Sequence, residues 1–279
     1  MKNILLPTDF SANSMNAIDY AMHFFENWEC NFYILNVQKI SEYISDDLVA
    51  GSKTDSIYDS IASDNKKLIQ QLVKKLSKKH KSQGYTFHGL FDYDDFVSAV
   101  DQAVTFHAID LIIMGTNGAT GAREVLFGSN TLKIVRHIDC PTLTIPEHYR
   151  YTKINSALLT TQQCKDLSLR ELEIFKEILN MHQCELNIVE LDDDAIVMSQ
   201  KKDNPQLQKL FKDYAYNYFS LNAVPGLIAV NTATQILKVD LHAAFIEKET
   251  FLERLLFGSD DAKVLYRTLV PLLFLHQND

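Results

Sequence analysis

The sequence predicts an α/β protein of two tandem open parallel-sheet domains, five strands in each, wrapped by helices. Three observations carry that expectation. The chain has 279 residues, beyond the ~100–200 residues of a usual single domain. Its first half alternates short apolar runs with longer helical patterns, as a parallel sheet covered by helices requires. Its second half echoes the first at a fixed offset.

Ile4 to Pro7 reads as the first strand, and Ser11 to Asn27 as a helix whose apolar face is Ala17, Ile18, Ala21, Phe24 and Phe25. Asn31 to Val37 is the second strand. Ser41 to Asp55 is polar and irregular, and Ile57 to Gln83 is a long helix with a basic face, closed by Gly84 as a C-cap. Tyr85 to Phe91 is the third strand, and a helix follows from about Asp95 to His107. Leu111-Ile112-Ile113-Met114 is apolar on both faces, so it belongs in the centre of the sheet. Thr131 to His137 is helical, and Thr142 to Ile145 is the fifth strand.

Leu126-Phe127-Gly128-Ser129 recurs as Leu256-Phe257-Gly258-Ser259, and 258 minus 128 is 130. The same offset relates Asp110 to Asp240 and Pro141 to Pro271. Ser156 to Thr161 echoes Asn3 to Thr8. A duplicated unit accounts for this order and spacing. The domains are then 1–147 and 151–279, with a linker from Glu147 to Lys153. Strand five would be an edge in each half. The two edges, Thr142 to Ile145 and Leu272 to Leu275, are expected to cover each other in an intramolecular pseudo-dimer, with a further homodimer open.

A net charge of -9 argues against a general nucleic-acid or anionic-membrane binder, which needs a cationic surface. A small anion can still be bound at a helix N-terminus. Cys30, Cys140, Cys164 and Cys184 are too scattered for a Cys-x-x-Cys site and read as reduced thiols. The start lacks the apolar run of a signal sequence, and no run reaches the ~20 apolar residues of a membrane span, so a cytoplasmic location is expected.

Beyond Met114 the chain reads Gly115, two residues, Gly118, nine residues, then Gly128-Ser129-Asn130. This loop leaves the carboxyl end of a central strand and ends at a helix start, the place where open α/β sheets bind ligands. Gly115 and Gly118 leave no Cβ in the way of a ligand, and Gly128, Ser129 and Asn130 offer amides for a phosphate. The pattern is neither a Walker loop nor Gly-x-Gly-x-x-Gly. It resembles the nucleotide motif of ATP-binding universal stress proteins. Leu5-Leu6-Pro7-Thr8-Asp9-Phe10-Ser11, Asp110 to Gly115 and Cys140-Pro141-Thr142-Leu143 resemble other parts of the same family.

That resemblance implies a five-stranded parallel sheet with helices on both faces, of the Rossmann-like, adenine nucleotide hydrolase-like kind. It also implies ATP, alone or with magnesium, as ligand. Asp9 and the backbone around Val37 would hold adenosine, and Gly115, Gly118, Gly128, Ser129 and Asn130 would hold phosphates, with Arg123 in reach. Pro7, Thr8 and Met114 belong to the same nucleotide-binding set. The chain departs from the family at Asp92-Tyr93-Asp94-Asp95, which brings bulk and negative charge where the family has glycine and a small residue. In the second half Phe245, Lys248 and about Gln162 stand for Gly115, Gly118 and Asp9, so that half is expected to have lost ATP.

No catalytic triad and no close metal spacing emerges. Asp192-Asp193-Asp194 reads as a solvated loop. Phe211, Tyr214, Tyr216, Tyr218 and Phe219 look like an aromatic box but are expected on a helix, packed against the sheet. The expected function is a stress-response regulatory module that binds ATP in its first domain with slow or no hydrolysis. The alternatives are a slow ATPase, or a scaffold that binds partner proteins without nucleotide.

Overall fold

The computed structural model describes residues 1–38, 54–116, 127–162, 172–192, 205–222, 224–246 and 270–276. In chain order the first half contains β1 (Lys2–Pro7), α1 (Ala12–Phe24), β2 (Cys30–Val37), α2 (Thr54–Lys79), β3 (Tyr85–Asp92), α3 (Phe96–His107), β4 (Leu111–Gly115), α4 (Ser129–His137) and β5 (Thr142–Ile145). The second contains β6 (Ser156–Gln162), α5 (Glu173–His182), β7 (Glu185–Asp192), α6 (Pro205–Leu210), β8 (Tyr216–Asn222), α7 (Gly226–Ile236), β9 (Leu241–Ile246) and β10 (Leu272–His276).

All ten strands form one sheet in the order β3-β2-β1-β4-β5-β10-β9-β6-β7-β8. Each half is therefore an open parallel α/β domain with the same internal order. β4 lies between β1 and β5, as its two apolar faces require, and every one of its residues is buried. The aliphatic and aromatic residues of α1 are buried with β1, β2 and β4 in one core, while Leu5, Leu35, Val100, Ile112 and Ile134 build the core on the opposite face.

The two halves meet through their fifth strands. β5 and β10 pair antiparallel, with Leu273 opposite Leu143, Leu272 opposite Thr144 and Phe274 opposite Thr142. Since 273 minus 143 is again 130, the register is centred on equivalent leucines. The contact is thus nearly the same patch on both sides. Pairing removes two apolar edges that would otherwise invite aggregation. The core runs across the seam: Phe127 stacks edge-on against Phe274 with ring centroids 5.7 Å apart, and His276 Nε2 donates to the Val135 carbonyl at 2.7 Å. On the other face Lys2 reaches Glu177 of α5 at 2.7 Å, and the linker tyrosines Tyr149 and Tyr151 pack on Tyr20 of α1.

At the amino end of the sheet both halves use the same bonds. Asp110 accepts from the Asn3 amide at 2.8 Å, and Asp240 accepts from the equivalent Ser156 amide at 3.1 Å and also from the Asn155 amide at 2.8 Å. The Pro141 carbonyl accepts from Ile112 and the Pro271 carbonyl from His242.

Two sequence expectations need correction. Gly84 does not cap α2, which ends at Lys79; His80 to Gln83 turn, and the Gly84 carbonyl accepts from the Cys30 amide to begin the ladder with β2. The aromatic run is not helical. Tyr216 to Asn222 form the edge strand β8, and only Pro205–Leu210 is helix there. The alternation of Tyr216, Tyr218 and Ser220 with Asn217, Phe219 and Leu221 is a strand period, and tertiary pairing with β7 selects it.

Candidate functional site

Within the first half, connections from β1 run to one side through β2 and β3, and to the other through β4 and β5. The gap between β1 and β4 is the point where the strand order reverses, and ligands of open α/β sheets bind at the carboxyl ends beside such a point. Pro7 ends β1 there with Thr8 and Asp9 just beyond it, Val37 ends β2, Met114 and Gly115 end β4, and Gly128, Ser129 and Asn130 begin α4. The fold thus brings nine of the eleven residues singled out from sequence to one crest. The other two, Gly118 and Arg123, lie outside the described residues, as do Lys248, the Leu256 to Ser259 echo and Asp193-Asp194.

The turn after β1 is held tightly. The Thr8 hydroxyl is 2.9 Å from the Ser14 hydroxyl and accepts from the Phe10 amide at 3.0 Å. Asp9 accepts from the Ser11 amide at 3.0 Å. Between them Phe10 sits at φ 61°, in the left-handed region that a bulky residue adopts only when its surroundings impose it. Desolvation in the crest opposes ionisation of Asp9, but hydrogen bonds from Ser11 and Ser14 overcome it and hold the carboxyl below its ordinary value. Asp9 is an exposed, ionised acceptor at the mouth of the site.

Gly115 is required for a reason that sequence did not suggest. A Cβ there would lie 2.6 Å from Asn13 Nδ2, so the glycine lets α1 seat its first turn against β4. Thr131, unpredicted, locks the other side: its buried hydroxyl donates to the Gly115 carbonyl at 3.1 Å, or the Thr116 carbonyl at 3.2 Å. Gly128 N–H donates to Thr116 O at 2.5 Å, drawing the start of α4 onto the end of β4. Asn36 donates to the Thr8 carbonyl at 2.7 Å and ties the end of β2 to β1. The only sequence sign of Thr131 was a β-branched hydroxyl in a first helical turn.

The helix starts of this half differ in their capping. Ser11 caps α1 and Asp95 caps α3 with side chains, whereas Gly128 brings no side chain to α4. Ser129 and Asn130 are exposed at that end. An anion with three or more oxygens fits a helix start of this kind, where amides and the helix dipole face outward. The aspartates after β3 turn on themselves: Asp92 accepts from the Tyr93 amide, Asp94 from the Asp95 amide, and Asp95 from the Val97 amide. They stand beyond β2, two strand spacings (~10 Å) from β1.

The second half replaces this arrangement. Phe245 occupies the position of Gly115 in β9, and its side chain is buried in the core. Thr161 and Gln162 end β6 at the positions of Thr8 and Asp9, which follow β1. His242, equivalent to Ile112, is buried against the Thr160 hydroxyl at 2.8 Å.

Residues 1–146 match the sequence profile described as the universal stress protein family. The chain belongs to that family. A universal stress protein of Methanocaldococcus jannaschii is 25% identical over 144 residues, which cover 52% of this chain and 81% of that relative. The solved universal stress protein of Archaeoglobus fulgidus superposes along the whole length, with a TM-score of 0.69, 17% identity, and coverage of 99% and 97% of the two chains. The cytoplasmic domain of a prokaryotic cation chloride cotransporter superposes with a TM-score of 0.56 at 13% identity, over 98% of this chain and 95% of that one. At such identities the likeness is one of fold.

Among the described residues no helix is long and apolar enough to cross a membrane, and no group of three His, Cys, Asp or Glu side chains could hold a metal ion. Burial pushes the thiols of Cys30 and Cys140 up to about 12 and that of Cys184 to about 11, so they are unreactive at neutral pH. Cys164 lies outside the described residues.

Proposed function

We propose that this universal stress protein binds ATP at the β1–β4 crest of its first domain and works as a cytoplasmic stress-response regulatory module with slow or no hydrolysis. The observation that carries the reading is the pairing of an ionised acceptor with an uncapped helix start across one crest. Asp9 lies in the turn after β1, and Gly128-Ser129-Asn130 open α4 after the neighbouring strand β4. In this reading Asp9 accepts from the sugar hydroxyls, Pro7, Thr8 and Val37 flank the base, and the amides at the start of α4 hold phosphate oxygens. Gly118 and Arg123 complete the phosphate side. Magnesium, where present, comes with the nucleotide.

The chemistry of Asp9 supports binding over turnover. A general base serves best with a pKa near the operating pH. Asp9 is held below the ordinary carboxyl value and takes hydrogen bonds from Ser11 and Ser14, which leaves it a poor acceptor for a water proton. The domain limits proposed with this function are 1–147 and 151–279, with the second domain binding no nucleotide because Phe245 fills the glycine position. The second domain serves as the intramolecular partner of the first. Mass spectrometry of the purified protein under native conditions tests the proposal: one adenine nucleotide per chain is expected. Calorimetry showing no heat with ATP on a nucleotide-free sample refutes it.

A further inference from the structure

We propose that the free edge of β3 docks an extended acidic peptide, which joins the sheet as a further strand. β3 ends the sheet, and among the described residues no strand pairs with its outer side. It is eight residues long, contains no proline, and pairs with β2 along its whole length, Tyr85 opposite Cys30 through Asp92 opposite Val37.

The direction of its backbone follows from the ladder. The Cys30 amide donates to the Gly84 carbonyl at 3.0 Å and the Gln38 amide to the Asp92 carbonyl at 3.0 Å. In a parallel ladder this turns the amides and carbonyls of the even-numbered residues of β3 toward β2. Those of Tyr85, Phe87, Gly89 and Phe91 point outward, in the spacing that a new strand would pair with.

Both faces beside that edge are recessed. On the α2 side a cavity of about 480 Å³ is lined by Lys66, Gln70, Lys74, Gly89 and Phe91, among others. Gly89 is forced by packing, since a Cβ would lie 2.5 Å from Ile69 Cγ2, and the absence of a side chain keeps the edge open. On the α3 side a cavity of about 590 Å³ lies along Leu90, Ala103 and Phe106, and Phe106 is 84% exposed.

Charge selects the occupant. The chain carries a net -9, yet the α2-side cavity is lined by Lys66 and Lys74 and by no acidic residue. Asp92 and Asp101 line the α3-side cavity, and of the lysines nearby Lys67 pairs with Asp64 and Lys79 with Asp19. A strand added at β3 sends alternate side chains toward each face. Those on the α2 side meet exposed Lys66 and Lys74 and favour carboxylates. Those on the α3 side meet Leu90 and Phe106 and favour apolar residues. Main-chain bonds would supply affinity and the lysines would supply selection and steering.

The probe is a fluorescently labelled eight-residue peptide of alternating glutamate and valine, titrated against the full chain by anisotropy. Saturable binding is expected, at least tenfold weaker for the double variant Lys66→Glu, Lys74→Glu, whose circular dichroism should stay unchanged because both residues are exposed. The same peptide N-methylated at alternate residues, and so unable to pair, should also bind at least tenfold more weakly. Equal binding of the N-methylated peptide would overturn strand addition. Absence of saturable binding at millimolar peptide, equal binding of an oligothymidylate of the same charge, or a self-association that the double variant abolishes would each overturn the acidic-peptide reading.

Discussion

The two halves of the chain agree at the amino end of the sheet and part company at the carboxyl end. Asp110 accepts from the Asn3 amide as Asp240 does from the equivalent Ser156 amide, and Pro141 and Pro271 supply the same carbonyl. At the other end, Gly115 is opposed by Phe245, Thr8-Asp9 by Thr161-Gln162, and the side-chain cap of α1 by Leu172, which gives α5 no side-chain cap. The amino-end bonds pair part-buried backbone groups where each half's first strand starts. The carboxyl end is tied in the first half by other residues, Thr131 and Asn36 among them, and it is there that the second half puts the ring of Phe245 where the first has Gly115.

The largest test of the comparison is at the seam. Leu143 is fully buried opposite Leu273, and Leu143→Lys places an ammonium where no partner is at hand. Such a change costs roughly 4 kcal/mol or more. The expected outcome is a higher radius of gyration in solution scattering and faster proteolysis between residues 147 and 153. An unchanged scattering profile would show that the halves hold together without the β5–β10 contact.

The next test separates the halves by pH. Burial pushes His242 down to about 3, below the ~6.5 of an exposed imidazole. The unfolded chain therefore binds a proton that the folded chain refuses. The stabilisation is complete above pH ~6.5 and is lost as pH falls from there toward about 3, at up to ~1.4 kcal/mol per pH unit. Ile112 holds the equivalent position in the first half and cannot titrate. Hydrogen exchange at pH 5 should rise in β6 and β9 before β1 and β4, and His242→Gln should shrink the difference, leaving the part due to His182 of α5, which burial pushes down to about 4. Equal protection of both halves would break it.

Nucleotide stoichiometry gives a third. Gly118→Val should weaken ATP binding by at least tenfold, or ~1.4 kcal/mol, with the fold retained. The full-length wild type should titrate at one ATP per chain. Two sites per chain would mean that Phe245 does not close the second crest.

Much of this was legible in the sequence. β4 declared itself central because Leu111 to Met114 is apolar on both faces, and the offset of 130 placed the second half's fifth strand at Leu272 to Leu275 without any propensity argument. β8 shows the limit. Its aromatic residues suit either a helix face or a strand, and local pattern favoured helix, whereas the offset from Tyr85 to Phe91 points to a strand at 215–221. At the site, the glycine spacing and Asp9 were visible because motif spacing is local. The contact of Gly115 with Asn13 was not, because it joins residues about a hundred apart. Nor was the left-handed Phe10, whose conformation is imposed by Thr8 and Asp9 rather than by its own preference.

The smallest expected effect concerns the cap that only the first half has. Ser11 Oγ accepts from the Ser14 amide at 3.2 Å, and the same turn holds Asp9 through Ser11 and Ser14. Ser11→Ala removes the side-chain acceptor and leaves the backbone bond from Ser11 to Asp9 in place. Loss of an N-cap costs ~1 kcal/mol, so the denaturation midpoint should fall slightly. The carboxyl of Asp9 should move up toward the ordinary aspartate value, because a hydrogen bond to its charged form is gone. With a folded value nearer the unfolded one, the stability that Asp9 contributes above pH ~4 shrinks, and so does the part lost as pH falls through its folded value. A carboxyl titration followed by NMR reads the first change, and denaturation at pH 7 against pH 3 reads the second. A variant with the stability loss but no movement of Asp9 would show that the cap serves the helix alone. The first half would then differ from the second in ligand geometry and not in the electrostatics of the turn after β1.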